Sequence, residues 1–87
     1  MKSMICIVDL DNKTFEMRYP KDRVMEENAH DIVRFMQLKL NRNIMVSVNE
    51  YTTEFCISKG WKSDDMLLEK LRIEYNEHNS DKHIFNI

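Results

Sequence analysis

Met4-Ile5-Cys6-Ile7-Val8-Asp9-Leu10, followed by Asp11-Asn12-Lys13 and then by Thr14-Phe15-Glu16-Met17-Arg18-Tyr19-Pro20, is the stretch on which the fold turns. The first run is apolar at odd and even positions alike, the pattern of a strand covered on both faces. The second alternates polar and apolar with period two, as a half-buried strand nearer an edge does. The short polar triplet between them has the chemistry of a hairpin turn. Pro20 has no backbone donor and ends the second strand, and Asp22 is placed to cap a helix running to about Asn41. At about 100° per residue, Val24, Met25, Ala29, Ile32, Val33, Phe35, Met36 and Leu40 share one broad arc, which predicts a helix lying on the sheet. Leu38 falls outside that arc.

Working outward, Ile44-Met45-Val46-Ser47-Val48 is β-branched and alternating. A polar turn over Asn49 to Thr52 then leads to Thr53-Glu54-Phe55-Cys56-Ile57, which predicts a second hairpin. Gly60, the one glycine, breaks the chain. Ser63 is the expected cap of a second helix from Met66 to about His78, with Asp64 and Asp65 where the helix dipole favours negative charge. Asn79-Ser80-Asp81 would end it, and His83 to Ile87 would form a last strand. The expected order is ββαββα(β), a single α+β domain over residues 1–87 with a mainly antiparallel sheet; a double ββα arrangement is the alternative.

The residues from Ile5 through Met17, with Pro20, Asp22 and Ile32, resemble the opening hairpin and helix of ubiquitin-like, β-grasp domains, including the Lys13-Thr14 pair after the turn. The likeness covers about a third of the chain and fades beyond Asn43, where an additional helix is expected. It implies a β-grasp-like fold and a binding role. The family's Gly-Gly tail has no counterpart here, so covalent tagging is not implied.

The chain has 87 residues, enough for one modest core and short for a catalytic domain with a cofactor-sized cleft. With 43% hydrophobic and 32% charged residues and net charge −2, it reads as globular, without a global field favouring nucleic acid or an anionic membrane. The half from Ile44 onward carries the acidic excess. No apolar run approaches a membrane span, and the stretch after Lys2 does not read as a signal peptide. Two separated cysteines, Cys6 and Cys56, suggest free thiols in a reducing, cytoplasmic setting. Abundant Ile, Asn, Lys and Met beside one Gly and one Pro suggest AT-rich coding, as in many microbes and phages.

Several constellations invite chemistry. Asp9-Leu10-Asp11-Asn12-Lys13-Thr14 resembles the Asp-x-Asp-x-x-Thr start of haloacid-dehalogenase phosphatases, which implies a Mg²⁺-dependent hydrolase; a self-capping hairpin turn is the more economical reading. Cys6, Cys56, His78 and His83 are zinc-ligand types without the paired close cysteines of structural sites. His30 reads as a solvated residue of the first helix. No nucleophile-base motif is present, so no enzyme, cofactor or metal is expected. Lys13, Arg18, Lys21, Arg23, Arg34 and Arg42, with Tyr19 among them, form the basis of an alternative function, a nucleic-acid-binding regulator.

Strict alternation places Ile5, Ile7, Phe15, Met17, Tyr19, Ile44, Val46, Phe55 and Ile57 toward the first helix, and Cys6, Val8, Met45 and Cys56 on the opposite face. The second helix, through Leu67, Leu68, Leu71 and Tyr75, covers that face, or the face is itself a binding surface. Met66 and Ile73 project from the far side of the helix among Glu69, Lys70 and Glu77, and Asp64 and Asp65 extend the acidic rim. The expected function is a non-catalytic protein-binding module, an inhibitor or adaptor of the anti-defence, anti-CRISPR kind carried by phages and mobile elements. Its partner would be a protein, including a basic nucleic-acid-binding one if Glu50, Glu54, Asp64, Asp65, Glu69 and Glu74 gather on one side. Self-association as a homodimer is the other use of such a strip.

Overall fold

The computed structural model describes residues 4–19 and 23–86, the side chains of residues 23, 24 and 80–86 excepted; the expected cap at Asp22 and the end of the chain at Ile87 lie outside the described residues. In chain order the elements are β1 (Ile5–Asp9), β2 (Thr14–Arg18), α1 (Arg23–Lys39), β3 (Ile44–Ser47), α2 (Tyr51–Ser58), β4 (Lys62–Ser63) and α3 (Leu67–Asn86). The strands form one mixed sheet in the order β3-β1-β2-β4. β1 is central, as its two-sided apolar pattern requires, and pairs antiparallel with β2 and β3. β4 adds parallel to β2.

Because β2, β3 and β4 all run against β1, they run parallel to one another, and parallel neighbours need crossovers rather than hairpins. α1 makes the first crossover, from β2 to β3 over one face. α2 makes the second, from β3 back to β4 across the other face. Opposite directions on opposite faces give both crossovers the same hand. The result is a small compact α+β domain with two helices on one side of the sheet and one on the other.

The opening hairpin closes on its own side chain. Asp9 Oδ1 accepts the N–H groups of Asp11 and Asn12, each at 3.1 Å, and Asp9 Oδ2 accepts Asn12 Nδ2 at 2.8 Å. Lys13 takes a left-handed conformation, φ 57°, to complete the turn. The turn is tied to the α1–β3 connection: Leu10 N–H donates to Asn43 C=O at 2.9 Å, and Asn43 N–H donates to Asp11 Oδ2 at 3.1 Å. The four residues between Asp9 and Thr14 decide which faces meet, setting Ile7 opposite Glu16 and Val8 opposite Phe15. Phe15 and Met17 therefore share a face with Val8 and Cys6 and do not face α1, contrary to the alternation argument.

On the first face, Ile5, Ile7 and Ile44 are buried under Ala29, Ile32, Val33 and Met36 of α1 and under Leu67, Leu68 and Leu71 of α3. Phe35 of α1 meets Tyr75 of α3 edge-on, with ring centroids 5.1 Å apart. On the second face, Cys6, Val8, Phe15 and Cys56 form a smaller buried cluster, with Leu10 and Trp61 packed at its margin.

Two expected strands are helical. Thr53 to Ile57 belongs to α2: Ser47 Oγ accepts Asn49 N–H, Asn49 Oδ1 accepts Tyr51 N–H at 2.8 Å, and the chain winds from there instead of doubling back. With β3 and β4 parallel, no second hairpin forms, and with it goes the double ββα arrangement. α2 ends in a Schellman cap, Gly60 at φ 75° with Gly60 N–H on Ile57 C=O and Trp61 N–H on Cys56 C=O. α3 does not stop at Asn79-Ser80-Asp81 but continues to Asn86, through the expected strand at His83. Ser63 lies in β4 rather than capping α3. Asp64 does that work instead, its Oδ1 accepting Met66 N–H at 3.0 Å and its C=O accepting Leu67 N–H.

Candidate functional site

The two faces of the sheet are unequally covered. α1 and α3, of 17 and 20 residues, close the first; α2, of eight residues, is all that spans the second. α2 sits over the centre of its face. Thr52 Oγ1 lies 2.7 Å from Ser47 Oγ on β3, and the Thr53 hydroxyl lies 3.4 Å from Met17 Sδ of β2 and 3.9 Å from Cys6 Sγ of β1. Cys56 is its fully buried residue.

The remaining side chains of α2 stand clear of the sheet. Tyr51, Phe55 and Ile57 are 64%, 50% and 62% exposed, and beneath the helix's shoulders Met17 and Met45 stay 42% and 37% exposed although they point to the face it covers. At 100° per residue Tyr51 and Phe55 lie on one shoulder and Ile57 on the other. Phe55 is held edge-on by Trp61, centroids 5.9 Å apart, with Lys59 Nζ 5.5 Å above its ring. Apolar side chains thus flank α2 on both shoulders, with a held aromatic on one of them and two flexible thioethers on the strands below.

Compared with family models, with curated proteins and with solved structures, the chain finds no match.

Of the residues expected to form the binding surface, Cys6, Val8 and Cys56 are fully buried beneath α2, whereas Met45 is exposed beside it. The cover is α2 rather than the C-terminal helix, which packs on the other face. Met66 and Ile73 are exposed, as are Asp65 and Glu77, while Glu69 is half-buried with its carboxylate 3.7 Å from Arg72. Asp64 is held by Lys70 at 2.8 Å, and that ammonium keeps its carboxyl below the usual carboxylate range. The acids do not gather on one side: Glu50 and Glu54 accompany α2, and Asp64, Glu69 and Glu74 accompany α3 across the sheet. Of the basic residues, Arg18 is paired with buried Glu16 and Arg42 with Glu74 at 3.4 Å, while Lys21 and the side chain of Arg23 lie outside the described residues.

A polar cleft of about 340 Å³ opens between the hairpin turn and α3, lined by Asp9, Asn12, Arg42, Asp64, Lys70 and Glu74. Its charges pair across the cleft, and both Asp9 oxygens are taken by the turn. Among the described residues no group of three or more His, Cys, Asp or Glu side chains is placed to hold a metal ion, and no helix is long and apolar enough to cross a membrane. His78 packs on Phe35, centroids 4.8 Å apart, on the face away from the two cysteines; the His83 side chain lies outside the description.

Sequence reasoning placed Phe55 and Ile57 in the core and passed over Tyr51 and Trp61. The available signal was the spacing of Thr52, Thr53 and Cys56, whose small side chains share one side of a helix and leave Tyr51 and Phe55 together on another.

Proposed function

We propose that the domain is a non-catalytic protein-binding module, an inhibitor or adaptor in type, that docks through α2 and its shoulders. The observation that carries this is the exposure of Tyr51, Phe55 and Ile57 on a helix already seated over a sheet face where Met17 and Met45 remain uncovered. Aromatic residues and methionine are the side chains enriched at protein interfaces, and several large apolar side chains left exposed about one short helix mark a contact site. Trp61 and Lys59 hold the Phe55 ring, so a partner meets an anchor whose ordering cost is already met. The likeness of the opening hairpin and helix to ubiquitin-like domains supports a binding role. Two adjacent cysteines present as thiols fit a reducing, cytoplasmic setting.

Affinity capture with the wild-type chain, a Tyr51→Asp/Phe55→Asp variant and a Met66→Asp/Ile73→Asp variant tests this reading, with circular dichroism confirming the fold of each. The α2 variant is expected to lose partners that the α3 variant keeps. Loss with the α3 variant alone would move the surface to Met66 and Ile73, and equal recovery by all three would refute both.

A further inference from the structure

The chain has two cysteines. They lie fifty positions apart, one on β1 and one on α2, yet they meet in the same buried cluster of four residues, Cys6, Val8, Phe15 and Cys56. The Thr53 hydroxyl lies 3.9 Å from Cys6 Sγ, a donor placed to favour the thiolate when it forms. Cys56 is also the fully buried residue of α2, so the helix is anchored to the sheet by a thiol that sits in the same cluster as the thiol of the central strand.

We propose that Cys6 and Cys56 form a reversible disulfide that clamps α2 to the central strand, making the domain responsive to a disulfide oxidant of the glutathione class. The chemistry is thiol–disulfide exchange in two steps. One cysteine thiolate attacks a sulfur of oxidised glutathione and expels a glutathione thiolate. The other cysteine thiolate then attacks the protein sulfur of that mixed disulfide and expels the second. The protein is oxidised by two electrons, the glutathione disulfide is reduced, and the two protons leaving the protein thiols end on two molecules of glutathione. No third protein group is required, because each cysteine serves as the resolving thiol for the other. Both sulfurs are buried, so the first attack needs α2 to lift from the sheet, and the second becomes intramolecular as the helix reseats.

The reaction acts on the element that presents Tyr51, Phe55 and Ile57, but the inference rests on the sulfur pair alone and stands whether or not that face binds a partner. The test is incubation of the full chain with excess oxidised glutathione at mildly alkaline pH, followed by alkylation, intact-mass measurement and hydrogen exchange. The expected product is a monomer lighter by two hydrogens, with no alkylatable thiol, slower exchange at the α2 amides, and full reversal by dithiothreitol. In a Cys56→Ala variant the same treatment should leave Cys6 as a free thiol or a glutathione adduct. Two alkylatable thiols after prolonged oxidation, stable glutathione adducts on the wild type, or disulfide-linked dimers would each overturn the proposal.

Discussion

The Glu16 carboxylate on β2 accepts the backbone N–H of Leu68 in the first turn of α3, 52 positions away. Glu16 is buried, and its other oxygen accepts from Arg18 Nε. A strand thus supplies the negative charge that the helix N-terminus favours and fixes where α3 begins. Replacing Glu16 by Ala leaves a buried N–H unsatisfied and should cost about 2 kcal/mol, whereas Glu16→Gln keeps an acceptor and should cost about 1 kcal/mol. Urea unfolding midpoints of the two variants check the order.

Asp9 closes the hairpin turn on itself. Its two oxygens accept three hydrogen bonds from Asp11 and Asn12, and Asp11 in turn holds Asn43. Asp9→Ala should therefore destabilise the domain by about 2 kcal/mol, since the side chain is buried and its donors lose their acceptor. Magnesium should leave the unfolding midpoint of the wild type unchanged. A midpoint that rises with magnesium and not in the variant would restore the metal-dependent reading of this pair.

Two left-handed positions separate backbone strain from crowding. Gly60 has nothing within 4 Å of where a Cβ would stand, yet its φ is +75°, so Gly60→Ala should cost about 1 kcal/mol through conformation alone. Lys13 pays that strain in the native chain at φ 57°, and Lys13→Gly should recover up to about 1 kcal/mol. Thermal unfolding of both variants gives the opposite signs directly.

Burial pushes both thiols above their ordinary value of 9.0. The unfolded chain releases these protons as pH passes that value while the folded chain retains them, so the unfolded state binds fewer protons and is favoured. The thiols' contribution to stability is complete below pH 9.0 and is lost as pH climbs through the raised folded values. Stability against pH should fall less steeply in a Cys6→Ala/Cys56→Ala variant over that alkaline range, with the neutral range setting each baseline.

The elements of the first forty residues were legible because three local signals agreed with the tertiary arrangement: two-sided burial in β1, a self-capped turn, and a broad apolar arc on α1. The second half misled where one pattern served two periods. Thr53 to Ile57 alternates like a strand, but Thr52, Thr53 and Cys56 also align on a helix, and the parallel direction of β4 decides between them only once the sheet exists. The face assignment of Phe15 depended on loop length, since an even number of residues between Asp9 and Thr14 pairs odd positions with even ones. Glu16 could not be foreseen as a cap, because its partner helix starts half a chain away. Of the sheet-face residues expected to meet a partner, Cys6, Val8 and Cys56 are buried under α2, and Met45 alone stays exposed beside it. The outer part of the candidate site, Tyr51, Phe55 and Trp61, was hidden by the strand reading.

The sheet's two margins have a consequence for how copies of this chain can misassemble. β4 is two residues long and carries an exposed Lys62. On β3, Ile44 N–H donates to Arg42 C=O, and Ile44 C=O accepts from Gln37 Nε2. The outward groups of Ile44 are thereby taken, which shortens the part of this edge open to strand addition, the route by which sheets grow into fibrils.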